Sequence, residues 1–182
     1  MHEWEAWLSD VSNRTLPGGV AVGALAAAMG AALVTKALRV TLSRGRLSPG
    51  EKRRFEAAAA AAREAQAALL GLAEADEVAF RRVLTAGKGS AASDERRNAW
   101  RMATDIPVSV AETSRDLLER LPPLHESCLP AVLVDLEIGT RLLLAGQDAG
   151  VRAARANLRE WEADPDSGTL APRLEALEQE PG

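Results

Sequence analysis

The sequence contains few of the residues that disulfides, metal sites and β-sheets require. It has one cysteine, Cys128, and two histidines, His2 and His125, so an internal disulfide is excluded and we expect no bound metal. Tyrosine is absent and phenylalanine occurs twice. Because β-sheets are enriched in aromatic and β-branched residues, this alanine-dominated composition argues against a β-rich fold and favours an all-α protein.

The length and the net charge of the chain indicate how many domains it has and which partners it lacks. The chain has 182 residues, of which 47% are hydrophobic and 26% are charged, which is typical of a single folded domain. Lysine and arginine number 22 against 26 acidic residues, a net charge of -4. Nucleic-acid binders need a basic surface, so we expect no nucleic-acid partner.

An uncharged stretch at residues 15–35 is long enough to cross a bilayer. It consists mostly of alanine and glycine, however, whereas a lipid-facing helix normally carries more large apolar side chains. The N-terminus, Met1–Glu5, also lacks the basic segment of a secretory signal. A membrane span is the weaker alternative, and we expect a buried helix in a cytoplasmic protein.

Apolar spacing and breaker residues predict an elongated antiparallel bundle of about five long helices. Pro107 is expected to kink the fourth helix without ending it, and Ser48 before Pro49 is expected to cap the third. Residues 1–163 form the helical domain in this interpretation, and residues 164–182 form an acidic polar tail with a short helix at 170–177. The five helices are predicted at residues 3–13, about 20–44, 49 to about 86, 93 to about 121, and 130 to about 163.

The second helix is the reason to expect a homodimer. Small side chains such as Gly23, Ala27 and Gly30 recur on one face, which allows another helix to approach closely, from the same chain or from a partner. A helix without charge needs cover on all sides. Four neighbours in one subunit barely supply that cover, so a second copy is expected.

Asp76 is the first candidate catalytic residue. Apolar positions on the third helix, including Leu69, Leu72 and Phe80, share its face, so the carboxylate is predicted to point into the core or into an apolar cleft. Burial raises the pKa of a carboxyl group, and such groups often mark sites of acid–base chemistry. The alternative is a structural aspartate paired with an arginine of a neighbouring helix.

Asp135 is the second candidate. It lies in the second turn after Pro130 and shares a stripe with Ala131, Ile138 and Leu142, so it is also predicted to point inward, with the positive helix end favouring its ionised form. Two inward carboxylates whose pKa values are pushed apart can divide the roles of acid and base. A structural role near the helix start is the equally weighted alternative.

Two further segments suggest ligand binding. Pro17-Gly18-Gly19 precedes a helix and can form a cradle for an anion, although most such sequences are simple turns. Arg39 and Arg44 form a basic group at the end of the same helix, which can bind carboxylates or can be an ordinary solvated helix end. His125 and Cys128 lie close together in a predicted loop, where nothing enforces the hydrogen bond that a catalytic pair requires.

The sequence resembles the formiminotransferase-cyclodeaminase C-terminal domain family, which includes methenyltetrahydrofolate cyclohydrolases, because these segments follow one another along the chain in the same order. The resemblance extends from about Trp4 to Trp161. It rests on the Leu16–Gly19 turn, the small-residue helix at residues 24–34, and the Asp76–Phe80 segment. It also rests on Ile106-Pro107, Asp135, Arg155 and Asn157-Leu158.

The resemblance implies a dimeric helical bundle with a folate cleft and no tightly bound cofactor. The substrate would be a tetrahydrofolate derivative, which is either hydrolysed at its methenyl bridge or cyclised from the formimino form with loss of ammonia. Asp76 and Asp135 would transfer protons. The expected ligand-binding residues are Pro17, Gly18 and Gly19 at the turn, Asn157 as a hydrogen-bonding group, and Arg39 and Arg44, of which Arg44 would meet the glutamate tail.

Several positions depart from the family pattern. Val20 stands where a third glycine is usual, Ala21 where serine is usual, and Ala153 where a first asparagine precedes Asn157. Arg39 replaces an asparagine and Val134 a serine. Two alternatives therefore stay open: an enzyme with altered chemistry on another iminium or amine substrate, and a helical interaction dimer that has lost catalysis.

Overall fold

A computed structural model describes residues 2–86, 93–161 and 169–178. Within these ranges the regular structure consists of helices, with no strand, which confirms the predicted all-α class. The boundary expected at 163–164 lies outside the described residues. The helices are α1 (His2–Asn13), α2 (Gly19–Arg44), α3 (Pro49–Ala86), α4 (Ser93–Leu118), α5 (Pro130–Trp161) and α6 (Ala171–Glu178), with a short 3-10 helix at Pro122–Leu124.

Helices α2 to α5 form a four-helix bundle in which each packs against the next and α5 closes the ring on α2. Consecutive helices joined by short connections run antiparallel, as predicted. The core follows the bundle axis, where side chains such as Phe55, Leu69 and Leu143 are fully buried. Asp76 therefore lies towards the end of the bundle where α2 begins, and Arg44 lies at the opposite end.

Glycines set the close approach of α2 and α5. A Cβ atom added to Gly30 would lie 2.6 Å from the carbonyl oxygen of Gly139, and one added to Gly146 would lie 2.5 Å from the Cβ of Ala27. The small residues of α2 thus serve a contact within one chain. α2 is apolar and long enough to cross a membrane, and 61% of its most apolar segment is buried inside the bundle.

Local signals place the helix ends as predicted. The amide of Ser48 donates to the carboxylate of Glu51 at 2.8 Å, and the amide of Glu51 donates to the Ser48 hydroxyl at 3.3 Å, which is a capping box at the start of α3. The hydroxyl of Ser127 donates to the same carboxylate, and these bonds lower the pKa of Glu51 to about 2. α4 continues through Pro107, as expected.

The short helix expected near the C-terminus is present as α6, and it packs on the bundle. Leu170, Leu174 and Leu177 are buried, the last two in a cluster formed with α4 and α5. Arg173 donates to Glu112 and to Asp105, both on α4. The segment expected as a polar tail therefore contributes apolar side chains to the core.

Candidate active site

Asp76 lies on the inward face of α3, as its helical spacing predicted. Its side chain is only 5% exposed, and Ala73 and Ala79, one turn away on either side, are buried as well. The backbone N–H of Ala21, in the first turn of α2, donates a hydrogen bond to the carboxylate. Asp76 therefore links the last third of α3 to the beginning of α2.

The surroundings of Asp76 bring its proton equilibrium close to neutral pH. Burial is the largest effect and raises the pKa of Asp76 from 3.8 to about 6, while the hydrogen bond from Ala21 lowers it and the nearby charge of Glu77 raises it. Among the described residues, no cation forms an ion pair with this carboxylate. Asp76 is thus able to accept or release a proton under physiological conditions.

The turn before α2 borders the same carboxylate. Pro17 is buried, and Gly18 is the N-cap of α2 with extended backbone angles and no side-chain capping bond. Neither Gly18 nor Gly19 has a positive φ, and a Cβ atom added to either would meet nothing within 4 Å. These glycines are required neither by the backbone conformation nor by packing inside the chain, so their missing side chains leave open space.

That open space is a cavity of about 490 Å³. It brings together four of the residues singled out by the sequence: Gly18 and Gly19 from the turn, Asp76 from α3 and Asn157 from α5. The walls are largely apolar. The remaining lining residues are Thr15, Leu16, Val20, Phe80, Ala149, Arg152, Ala153 and Ala156.

Asn157 is held in place by the neighbouring helix. Its Nδ2 atom donates a hydrogen bond of 2.7 Å to the carbonyl oxygen of Ala103 on α4. This bond fixes which end of the carboxamide faces α4 and leaves Oδ1 as the acceptor atom. The cavity is therefore lined by both a fixed amide and an ionisable carboxyl group.

Arg152 and Phe80 were not among the predicted site residues. Arg152 is the only cation among the lining residues that the structure describes, and its Nε donates to both carboxylate oxygens of Asp148 at 2.8 and 2.7 Å. Phe80 lies one turn from Asp76 on α3. The sequence did contain a signal for Phe80. It follows Asp76 by four residues on the same helix, so the two side chains face the same way.

Asp135 does not join this cavity within one chain, which corrects the prediction of a shared site. Its carboxylate lies 2.9 Å from the Nζ of Lys36 on α2 and is 20% exposed. Lys36 is fifteen residues beyond Ala21, about 22 Å along the helix. Ile138, on the stripe that was expected to face inward, is 45% exposed, because α5 buries the adjacent stripe instead.

Arg39 and Arg44 also lie away from the cavity within one chain. Both are exposed residues in the second half of α2, and Arg39 lines a shallow surface groove beside Lys36 and Ser43. At 1.5 Å per residue, about 30 Å of helix separates Arg39 from Gly19. The two arginines and the glycine turn do not form one binding site in a single subunit.

His125 and Cys128 have separate partners. Nε2 of His125 lies 3.3 Å from Glu137, while the buried Sγ of Cys128 lies 3.5 Å from the hydroxyl of Thr41. They do not form the catalytic pair that their proximity in sequence allowed. Within the described ranges, no three His, Cys, Asp or Glu side chains are grouped so as to hold a metal ion.

Comparisons with known proteins support the family resemblance. The sequence profile of the formiminotransferase-cyclodeaminase family matches residues 4–169, whereas a comparison with curated proteins gave no match. Among solved structures, the formiminotetrahydrofolate cyclodeaminase of Thermotoga maritima has a TM-score of 0.81 and 26% sequence identity over 91% of this chain and 82% of that chain. The chain, which carries the carboxylate, the glycine turn and the asparagine in one cavity, belongs to the formiminotransferase-cyclodeaminase family.

Proposed function

We propose that this protein transforms a one-carbon unit carried by tetrahydrofolate, with Asp76 as the proton-transfer residue. Two reactions fit the site: hydrolysis of the methenyl bridge, and cyclisation of the formimino group with loss of ammonia. The observation that carries the proposal is a buried carboxyl group with a pKa of about 6 in an otherwise apolar cavity beside a glycine turn.

Both reactions pass through a tetrahedral carbon between two nitrogens. In hydrolysis, the oxygen of water bonds to the bridging carbon and a water proton moves to Asp76. One carbon–nitrogen bond then breaks, and its nitrogen keeps the electron pair and takes the proton from Asp76. The new hydroxyl group becomes the carbonyl of the formyl product and releases its own proton to solvent. In cyclisation, a folate nitrogen attacks the carbon of the protonated formimino group and gives its proton to Asp76. Asp76 passes this proton to the amino group that has formed, and ammonia leaves with the electron pair of the broken carbon–nitrogen bond, so that the methenyl cation remains. General acid–base help of this kind is worth about 10²–10⁴-fold.

The other lining residues support binding of a flat ring. Gly18 and Gly19 leave the backbone open to a ligand, Phe80 offers an aromatic surface, and Oδ1 of Asn157 offers an acceptor. Asp135 is about four helical turns away in the same chain, so the proposal assigns proton transfer within one subunit to Asp76 alone.

The proposal also includes the surroundings in which the protein works. It acts as a homodimer in the cytoplasm, with a small folate-like molecule as its ligand and without a tightly bound cofactor, a nucleic acid or a membrane. α2 has no charged residue before Lys36, and 61% of its most apolar segment is buried, which is consistent with a core helix of such a protein.

The direct test is a spectroscopic assay with purified protein and methenyltetrahydrofolate, whose loss of absorbance reports hydrolysis. A parallel assay with formiminotetrahydrofolate follows the gain of the same absorbance and the release of ammonia. We expect one of the two substrates to be converted above the buffer rate, and Asp76→Asn to slow the reaction by about 10²-fold or more. Equal rates for the two proteins would contradict the role of Asp76.

A second candidate function is the same type of chemistry on a less polar iminium or amine substrate. It is favoured by two residues that line the cavity, Val20 and Ala153, at positions where the family tends to have glycine and asparagine. Calorimetry separates the two candidates. The folate proposal predicts saturable binding of tetrahydrofolate derivatives, whereas the second predicts no folate binding together with a dependence of its own reaction on Asp76.

A further inference from the structure

A second cavity, of about 620 Å³, lies between the last turns of α3 and the first turns of α4. It is lined by residues between 78 and 86 on α3 and between 95 and 102 on α4. It is larger than the cavity beside Asp76 and shares no described lining residue with it. We call this second cavity the α3–α4 groove.

The wall of the α3–α4 groove is mainly apolar. Val78 is 53% exposed and Met102 is 36% exposed, whereas Ala86 and Ala99 are buried. The two alanines belong to the apolar cluster through which α3 packs on α4, so the base of the groove is part of a packed contact between two long helices. A concave surface with exposed apolar side chains on a packed base is typical of a site for the apolar body of a ligand.

Two adjacent arginines place positive charge beside this apolar wall. Arg81 and Arg82 line the groove and are exposed, and neither forms an ion pair with a side chain in the described ranges. A guanidinium nitrogen of Arg82 lies 3.3 Å from the Sδ of Met102, so this side chain reaches across from α3 to α4. Because a thioether sulfur is a weak acceptor, the guanidinium groups keep most of their donors for an anion.

The charges of the groove favour an anionic ligand. Glu95, in the first turn of α4, is the one acidic residue among the described lining residues, against two arginines. The groove is therefore locally positive, although the net charge of the chain is -4. Thr85 and Asn98 add neutral hydrogen-bonding groups to the same surface.

The groove is separate from the cavity that contains Asp76. Val78 follows Asp76 by two residues, which is a rotation of about 200° around an α-helix. Val78, Arg82 and Thr85 recur at intervals of four and three residues and share one side of α3, whereas Asp76 and Phe80 lie on the other side. A ligand in the groove therefore does not reach Asp76, and the groove does not extend the candidate active site.

We propose that the α3–α4 groove is a second binding site, for a small molecule with an apolar body and one anionic group. The body lies against Val78 and Met102, and the anionic group binds Arg81 and Arg82. Guanidinium groups suit this task because their planar donors bind carboxylates and phosphates through paired hydrogen bonds. The site does not depend on the reaction proposed for Asp76.

Fluorescence titration with 1-anilinonaphthalene-8-sulfonate (ANS) tests the role of the arginines, because this probe joins an aromatic body to one sulfonate. The double change Arg81→Gln and Arg82→Gln should raise the Kd of ANS at least about tenfold, since charged hydrogen bonds are lost. The matched control is Arg53→Gln with Arg54→Gln, an exposed pair near the start of the same helix, which should bind ANS as the wild type does. The absence of ANS binding, or the same Kd for all three proteins, would overturn the proposal.

A neutral probe separates recognition of charge from apolar adhesion. N-phenyl-1-naphthylamine has the rings of ANS without the sulfonate, so it should bind more weakly to the wild type. Its Kd should not change in the double arginine variant. If that variant lost affinity for both probes to the same extent, the arginines would be maintaining the shape of the groove and not binding an anion, and the proposal would fail.

A carboxylate on the apolar wall tests where the probe binds. Val78→Glu places a negative charge at an exposed position in the groove and should also raise the Kd of ANS about tenfold or more. Leu70→Glu is the control, because Leu70 is 41% exposed on the same helix and does not line the groove. Equal Kd values for these two variants would place the probe elsewhere and contradict the proposal.

Displacement of bound ANS identifies the anionic group of the ligand. Octanoate and octyl phosphate carry the same chain, so the stronger competitor shows whether a carboxylate or a phosphate is preferred. Inorganic phosphate, which has no apolar body, should compete at least about tenfold more weakly than octyl phosphate. Failure of both chain-bearing competitors, or equal competition by inorganic phosphate, would overturn the proposed ligand class.

Discussion

At the scale of single residues, the site depends on a carboxyl group, that of Asp76, in surroundings that disfavour its charged form. Asp76 gains one hydrogen bond from the Ala21 amide, but burial acts against its charged form more strongly than this bond supports it. A surface aspartate would be ionised long before neutral pH and would be a weak base. The pKa of about 6 makes Asp76 a better proton acceptor at the expense of stability.

The stability of the Asp76→Asn variant checks this cost. Because the folded protein holds the proton more tightly than the unfolded chain, the contribution of Asp76 to the free energy of unfolding falls as pH rises from about 3.8 to about 6. The difference amounts to about 3 kcal/mol at most. Urea unfolding at pH 7.5 should show Asp76→Asn to be more stable than the wild type, with the gain disappearing near pH 4. A less stable variant at pH 7.5 would contradict the argument.

Gly19 offers a second test at this scale. A Cβ atom at Gly19 meets no protein atom and enters the cavity, so Gly19→Ala should raise KM and leave the free energy of unfolding unchanged or higher by about 0.5 kcal/mol. Gly50, near the start of α3 at the opposite end of the bundle, also has open space around it. Gly50→Ala is therefore the matched control. An identical KM for both variants and the wild type would show that the turn does not contact the substrate.

At the scale of helices, the packing of α5 explains why the predicted inward orientation of Asp135 was wrong. This helix has two adjacent apolar stripes, and the one it buries contains Val132, Leu136 and Leu143 together with Gly139 and Gly146. Glycines contribute little to a hydrophobic pattern, so the other stripe, with Ile138 and Leu142, looked like the inward one. The close glycine contact with α2 decides the orientation, and that contact depends on a neighbour that periodicity alone does not reveal.

The glycine contact between α2 and α5 leads to a stability prediction. A Cβ atom at Gly30 would lie 2.6 Å from a backbone oxygen of α5, so Gly30→Ala has to move the two helices apart and should lower the free energy of unfolding by about 2 kcal/mol. Gly71, exposed in the middle of α3 with nothing nearby, is the control. Gly71→Ala should instead stabilise by about 0.5–1 kcal/mol because alanine is the better helix former. Chemical denaturation measures both, and equal effects would refute the packing argument.

At the scale of the whole molecule, the sequence was sufficient to predict the helical bundle and some of the residues that line the cavity. Helix ends follow from local signals such as Ser48 and Pro49, and the burial of Asp76 follows from periodicity within α3. The grouping of Gly18, Gly19, Asp76 and Asn157 came from the family resemblance and is present in the cavity. The positions of Asp135 and Arg39 depend on how the helices pack against one another, which spacing along the chain does not encode.

The pH dependence of kcat/KM tests the central role of Asp76 most directly. If the ionised carboxylate accepts a proton during the reaction, kcat/KM should rise to half of its plateau at about pH 6 and stay high above it. Glu51→Gln, which alters a carboxylate with a pKa of about 2 at the start of α3, should keep this rise, and Asp76→Asn should lose it. A wild-type profile that is flat from pH 5 to 8, or an Asp76→Asn profile that still rises near pH 6, would contradict the account.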